Sequence, residues 1–158
     1  GRNVEGVRVN MKGEPIDGYN DAVDTLLIVA RQGGVFTAGI GDGGNEAGIG
    51  HLDGVPRGRH QGKEFDFKST VESDLGVTAW NSNLGAIATA MELAKLTGND
   101  AAMPTTDDVR RSIDGAVTAG AIDGVTRKPS RSVDGFSDRV HVLFADLYRQ
   151  RLDESGPS

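Results

Sequence analysis

The stretch from Ile40 to Gly50, Ile-Gly-Asp-Gly-Gly-Asn-Glu-Ala-Gly-Ile-Gly, places five glycines in eleven residues. A helix or a central strand does not tolerate that density, because each glycine costs about 0.5–1 kcal/mol relative to alanine in either element. The segment is therefore a loop, with a backbone that adopts conformations or close approaches closed to other residues. It follows the apolar run Val35-Phe36-Thr37-Ala38-Gly39-Ile40, which reads as a buried strand. In α/β folds, ligands sit where the chain leaves the carboxyl end of a strand. The loop also carries Asp42 and Glu46, four positions apart, and the amide of Asn45. Two carboxylates at that spacing can share one cation. Asp42 and Glu46 are thus the candidate catalytic and metal-binding residues, and Gly43, Gly44 and Asn45 the candidate substrate contacts.

The flanking pattern predicts an α/β chain, with a mixed or mostly parallel sheet flanked by helices and the glycine loop at a strand's carboxyl end. A helix is expected over Asp21 to Gln32, capped by Asn20 and closed by Gly33-Gly34. Ala22, Val23, Leu26, Leu27 and Ala30 would form its buried face. A second strand is expected over Leu75 to Trp80. A small apolar helix then runs from about Asn83 to Leu96, capped by Ser82, with Ile87, Ala90, Met91 and Ala94 inward. Free N–H groups at that helix start suit an anion, which makes Ser82, Asn83 and Gly85 further substrate candidates; an ordinary cap is the plain alternative. Further helices are expected over Asp107 to Ala119 and Asp138 to Leu152. Val140, Leu143, Phe144, Leu147 and Tyr148 would be the inner face of the last, with His141 packed among apolar residues.

Two later segments, Ile122-Asp123-Gly124-Val125 and Val133-Asp134-Gly135-Phe136, share one form: a β-branched residue, Asp, Gly, then an apolar residue. Asp123 and Asp134 could complete a metal site begun by Asp42 and Glu46. Equally, Asp-Gly pairs form plain turns, since glycine supplies φ > 0. Asp17, Asp53 and Asp114 read as turn or surface carboxylates, and Asp74, just before the second strand, as a ligand or, more plainly, a solvated loop carboxylate. The polar segment His51 to Gly62, with Pro56, Arg57, Arg59 and His60, reads either as a surface loop or as a flap bringing positive charge over an anionic substrate.

Composition narrows the function. The 158 residues are expected to form one domain. The net charge of −6 opposes general nucleic-acid binding. No run is long enough to span a membrane, and no signal pattern opens the chain. The absence of cysteine excludes disulfides, thiolate metal sites and thiol catalysis. The expected compartment is the cytoplasm, or the mitochondrion for a eukaryotic source. Gly1 in place of Met suggests a cleaved product, a tag scar or a fragment.

The ordered series Asn10-Met11-Lys12-Gly13, Ile40 to Glu46 with Gly48 and Gly50, Ser82-Asn83 with Gly85, and Gly120 to Thr126 followed by Val133-Asp134-Gly135 resembles the D-glutamate cyclase-like C-terminal domain family. Gly-Asp-Gly-Gly-Asn-Glu is its most specific piece. The family has Trp after Ser-Asn, where Leu84 stands here, and a larger aliphatic residue where Ala47 stands. The resemblance covers nearly all of this chain but implies that the family's N-terminal half is missing.

Three functions follow as expectations. The first is a Mn²⁺- or Mg²⁺-dependent enzyme acting on a small anionic substrate, such as a phosphatase, with Asp42, Glu46, Asp123 and Asp134 at the metal. The second is a D-glutamate cyclase, a lyase forming 5-oxo-D-proline. The third is a non-catalytic ligand-binding or assembly domain. Homo-oligomerisation is left open.

Overall fold

The computed structural model describes residues 1–54, 58–60 and 62–155. Pro56 and Arg57 of the expected flap lie outside them. Among the described residues the order is α1 (Asp24–Gln32), β1 (Ala38–Gly41), β2 (Gly58–His60), β3 (Lys63–Phe65), β4 (Leu75–Thr78) and α2 (Ser82–Thr97). A 3₁₀ turn (Asp100–Ala102), α3 (Thr106–Thr118), β5 (Ser132–Val133), β6 (Phe136–Ser137) and α4 (Asp138–Glu154) complete it. The chain is α/β. β1 runs parallel to β4 with Ile40 opposite Val77, whereas β2–β3 and β5–β6 are antiparallel pairs. The strands are short and form three separate two-stranded pieces among the described residues. Gly39, Gly41 and Gly76 sit within the parallel pair, and glycine in a strand interior both weakens it and marks close backbone approach. No helix among the described residues is long and apolar enough to cross a membrane.

The chain divides into two compact units, Gly1–Ser82 and Asn83–Ser158. The first buries Val9, Ile49, Phe67 and Val71. Its helix α1 departs from expectation. It begins at Asp24 behind Val23, with no side-chain cap, and Asn20 lies outside it. Val23, Leu26 and Val29 are exposed while Asp24 is buried, only 3% accessible. The cause is electrostatic. The Asp24 carboxylate receives the guanidinium groups of Arg2 and Arg8, and a buried charge must face its partners. That requirement fixes the rotation of α1 against its own apolar pattern. The expected strand also starts late, leaving Val35 and Phe36 exposed. Asp74 is no free surface carboxylate: it accepts the N–H and the hydroxyl of Thr37 at 2.8 Å each and pairs with Arg31. It thereby ties the start of β4 to the residue preceding β1.

The second unit is built on α2, α3 and α4 around Met91, Val109, Ile113, Ala145 and Leu152. Met91 and Ala94 are buried on α2, as its pattern predicts. Helix α3 starts at a reciprocal cap: Thr105 accepts the Asp108 N–H, and the Asp108 carboxylate accepts the Thr105 N–H. Helix α4 corrects the expected face. Leu143 and Leu147 are exposed, whereas His141, Ala145 and Leu152 are buried. Ala145 packs in one core with Val109 and Ile113 of α3. Tyr148 Oη donates to Glu92 at 2.8 Å, and Lys95 Nζ donates to the Leu152 carbonyl, joining α2 to α4.

Candidate functional site

The glycine loop follows β1 (Ala38–Gly41) in the chain, and its polar groups turn inward. Glu46 Oε1 accepts the N–H of Asp42 at 3.3 Å and of Gly43 at 2.9 Å, and Oε2 accepts that of Gly44 at 2.8 Å. Its carboxylate therefore clamps its own loop. Asn45 Nδ2 donates to the Val9 carbonyl at 3.0 Å, and the Gly44 carbonyl accepts the Ser69 N–H at 2.8 Å. The glycines serve the same closure. A Cβ on Gly41 would stand 2.6 Å from Glu46 Oε2, and one on Gly39 would stand 2.4 Å from the Gly48 backbone. Gly48 itself has φ +101. Gly48 and Gly50 lie against backbone, whereas Gly41 and Gly43 lie against side chains, Glu46 among them in both cases.

Asp42 is exposed, and its Oδ2 accepts the Ser82 N–H at 2.6 Å. It thus caps the first residue of α2 from the end of β1. An incoming anion would compete with this carboxylate for that N–H. Gly85 is buried, its carbonyl receiving the Thr89 hydroxyl at 2.8 Å. Asn83 is exposed and takes part in the cavity described below.

Asp123 and Asp134 belong to the second unit. Asp123 is buried, and its Oδ1 accepts the N–H groups of Val125 and Thr126, both at 2.8 Å. Oδ2 accepts the Ser132 hydroxyl and the Gly135 N–H. These hydrogen bonds, the Ser132 one foremost, hold its carboxyl well below the usual carboxylate range despite burial. Asp134, at φ 51, and Gly135, at φ 83, form the two-residue turn of the β5–β6 hairpin. Both dihedrals positive is the type I′ signature, for which Asp-Gly is a preferred pair.

A divalent ion at Asp42 and Glu46 needs several oxygens turned to one point. Among the described residues no three His, Asp or Glu side chains form such a group. Both Glu46 oxygens already face backbone donors. A direct check is Glu46→Gln, which turns an amide N–H₂ against backbone N–H groups. The loss expected is about 1–3 kcal/mol of stability, read by thermal denaturation, with no Mn²⁺-dependent change in the wild-type melting temperature. A melting temperature raised by Mn²⁺ in wild type and not in Glu46→Gln would restore the metal role.

Two cavities bear on the site. One in the first unit, about 290 Å³, is lined by Asn45 and Glu46 with Arg8 and Asp24. Its guanidinium is engaged, because Arg8 pairs with both Asp17 and Asp24. The other, about 370 Å³, lies among α2, α3 and α4 and is lined by Asn83, Asp108, Ser112 and His141 with apolar neighbours such as Ile87 and Ile113. This volume is in the range of small-molecule sites. The Asp108 carboxylate is held down to about 2, chiefly by the Thr105 hydroxyl, with the Thr105 N–H and Arg111 assisting. It therefore stays ionised at neutral pH.

His141 is fully buried. Its Nδ1 lies 3.0 Å from the Ser137 carbonyl. A carbonyl can only accept, so Nδ1 carries the hydrogen. Nε2 is buried and meets no hydrogen-bond partner among the described residues. The expectation of a packed histidine holds, but the sequence pattern missed its second nitrogen. The spacing of Ser137 and His141, one helical turn, foreshadows the Nδ1 bond. Nothing local foreshadows the cavity, which α2 and α3 complete.

Comparison with known proteins adds two findings. A family described as D-glutamate cyclase-like, C-terminal, matches residues 1–145. The mitochondrial D-glutamate cyclase of Homo sapiens is 35% identical over 94 residues, covering 59% of this chain and 15% of that protein's length.

Proposed function

We infer the function from the family, for the chain belongs to the D-glutamate cyclase-like, C-terminal family. Its work is on D-glutamate and the lactam 5-oxo-D-proline, at the cavity of about 370 Å³ in the helical unit. In the cyclase reaction the amine nitrogen bonds to the γ-carboxyl carbon, one γ-oxygen leaves, and two ammonium protons depart with it as water. The observation that carries this reading is the polar set in a largely apolar cavity: Asn83 and Ser112 offer hydrogen bonds to a carboxylate, while the Asp108 carboxylate is already held by Thr105 and Arg111. The similarity to human D-glutamate cyclase supports the substrate class. A metal-dependent phosphatase is the weaker reading, since Glu46 and Asp123 are both engaged by their own chain.

The test is calorimetry and turnover with D-glutamate, 5-oxo-D-proline and both L enantiomers. The D compounds should bind, and chiral chromatography should show their interconversion. Asn83→Ala should weaken binding about tenfold, the worth of roughly one good hydrogen bond. Equal behaviour of D and L compounds, together with no interconversion, would rule the reading out. Stereospecific binding without turnover would leave a ligand-binding domain.

A further inference from the structure

We propose that the outer face of α4 is an interface with a second copy of this chain, packed antiparallel about a two-fold axis. Val140, Leu143 and Leu147 follow one another at helical spacing. All three are exposed, while α4 buries His141, Ala145 and Leu152 on its other side. In the heptad notation of paired helices they occupy the a, d and a positions. Arg139 and Asp146 each stand one residue before an a position, and so share the g flank of that stripe. Neither is neutralised within the chain. Arg139 meets no carboxylate among the described residues. Asp146 accepts the Gln150 amide of its own helix, at 3.1 Å, and pairs with no cation among the described residues. Both line a groove of about 410 Å³ between α3 and α4, together with Leu143 and with Arg110 of α3. Orientation and partner follow from the charges. A two-fold axis perpendicular to antiparallel helices keeps the g residues of both on one flank and reverses their order. Arg139 of each copy then comes beside Asp146 of the other, twice per dimer. A parallel copy would instead set Arg139 against Phe144, and Asp146 against an Arg151 already engaged by Glu92 at 3.8 Å and by the Tyr148 ring. One chain thus supplies the apolar stripe and both halves of the flanking ion pairs, as a contact between identical surfaces requires. Helix α4 has 17 residues and is about 25 Å long. An interface of one helix lies at the small end of specific contacts, so the dimer is weak and forms in the upper micromolar range.

Sedimentation velocity of the chain from about 5 µM to about 500 µM should show reversible dimerisation. Leu143→Asp should abolish the dimer and leave the melting temperature at low concentration unchanged, because Leu143 is exposed in the single copy. The deciding test is charge reversal. Arg139→Asp and Asp146→Arg each place like charges across the axis, so each variant alone should dimerise at least about tenfold more weakly. An equimolar mixture of the two restores opposite charges at both pairs and should form a heterodimer as readily as wild type dimerises. The double variant Arg139→Asp/Asp146→Arg should self-associate likewise. If Leu143→Asp does not fold, the mixture decides alone. A chain that is monomeric at every concentration overturns the proposal. So does a dimer indifferent to Leu143→Asp, which would use another face. A mixture that associates no better than its components overturns it too, since Arg139 is then not set against Asp146 of the other copy.

Discussion

Replacing Asp24 with alanine is expected to lower the unfolding free energy by about 3 kcal/mol, read as a fall in the urea midpoint at unchanged slope. Asp24 is the buried charge on which the first unit turns: Arg2 and Arg8 both converge on it, from chain positions 22 and 16 residues away. Removing one member of a buried pair costs about 3–5 kcal/mol, chiefly because the other charge is stranded. Arg2 is 36% exposed and Arg8 16%, so both can regain some water, and the low end applies. Even so, that is a large share of the roughly 5–15 kcal/mol that holds a domain together. The exposed neighbour Asp21, changed to alanine, should move stability by no more than about 0.5 kcal/mol. The pH dependence gives a second readout. Burial opposes the Asp24 charge, but hydrogen bonds from Arg2 and Arg8 outweigh it and hold the carboxyl well below its ordinary value of 3.8. The folded value is the lower one, so the stabilisation is complete above about pH 4 and is lost as pH falls toward the folded value. Wild type should therefore lose stability more steeply below pH 4 than Asp24→Ala does. Equal slopes would show that Asp24 is not held in its charged form by folding.

The same residue explains why α1 was the least legible helix. Its apolar positions predict one buried face, and the ion pairs impose another. Those partners lie outside the helix, beyond the reach of any local periodicity. α2 and α3 were legible because their determinants are local: the Met91 and Ala94 stripe of one, the Thr105 and Asp108 cap of the other. The start of α4 at Ser137 was equally plain, yet its inward face was not, since Ala145 and Leu152 are buried by a core whose other members lie on α2 and α3. The hairpin at Asp134-Gly135 was readable as a turn from two residues.

The candidate site divides in the same way. That the Gly41-to-Gly50 stretch leaves a strand was legible, because glycine density and the apolar run before it are local signals. What the loop does with its charges was not. Glu46 is identical in sequence whether it faces a cation or three backbone N–H groups, and only the folded loop distinguishes them. Likewise Asp42 reaches a donor 40 residues away. Asn83 was singled out for the start of its helix, and its place is in a cavity whose other walls come from α3 and α4.

Gly39→Ala is expected to destabilise the chain by about 3 kcal/mol or more, at the upper edge of what overpacking costs. The added Cβ would meet the Gly48 carbonyl carbon at 2.4 Å, its Cα at 2.5 Å and its oxygen at 2.6 Å. All three are backbone atoms, so no side chain can swing aside. Relief requires pulling the loop off β1, and with it the Gly48 N–H bond to the Val71 carbonyl at 2.8 Å. Gly48 cannot yield either: its φ is +101, and a Cβ of its own would lie 2.6 Å from the Gly39 Cα. Gly115→Ala is the contrast. Gly115 lies within α3, where a Cβ would meet nothing within 4 Å. The same substitution there should stabilise by about 0.5–1 kcal/mol, through helix propensity and a less flexible unfolded chain. Thermal denaturation of the two variants separates the roles. Opposite signs would establish that Gly39 and Gly48 are held as glycines by backbone packing against each other. A Gly39→Ala variant as stable as wild type, with an altered response to small anions, would return the loop to the ligand.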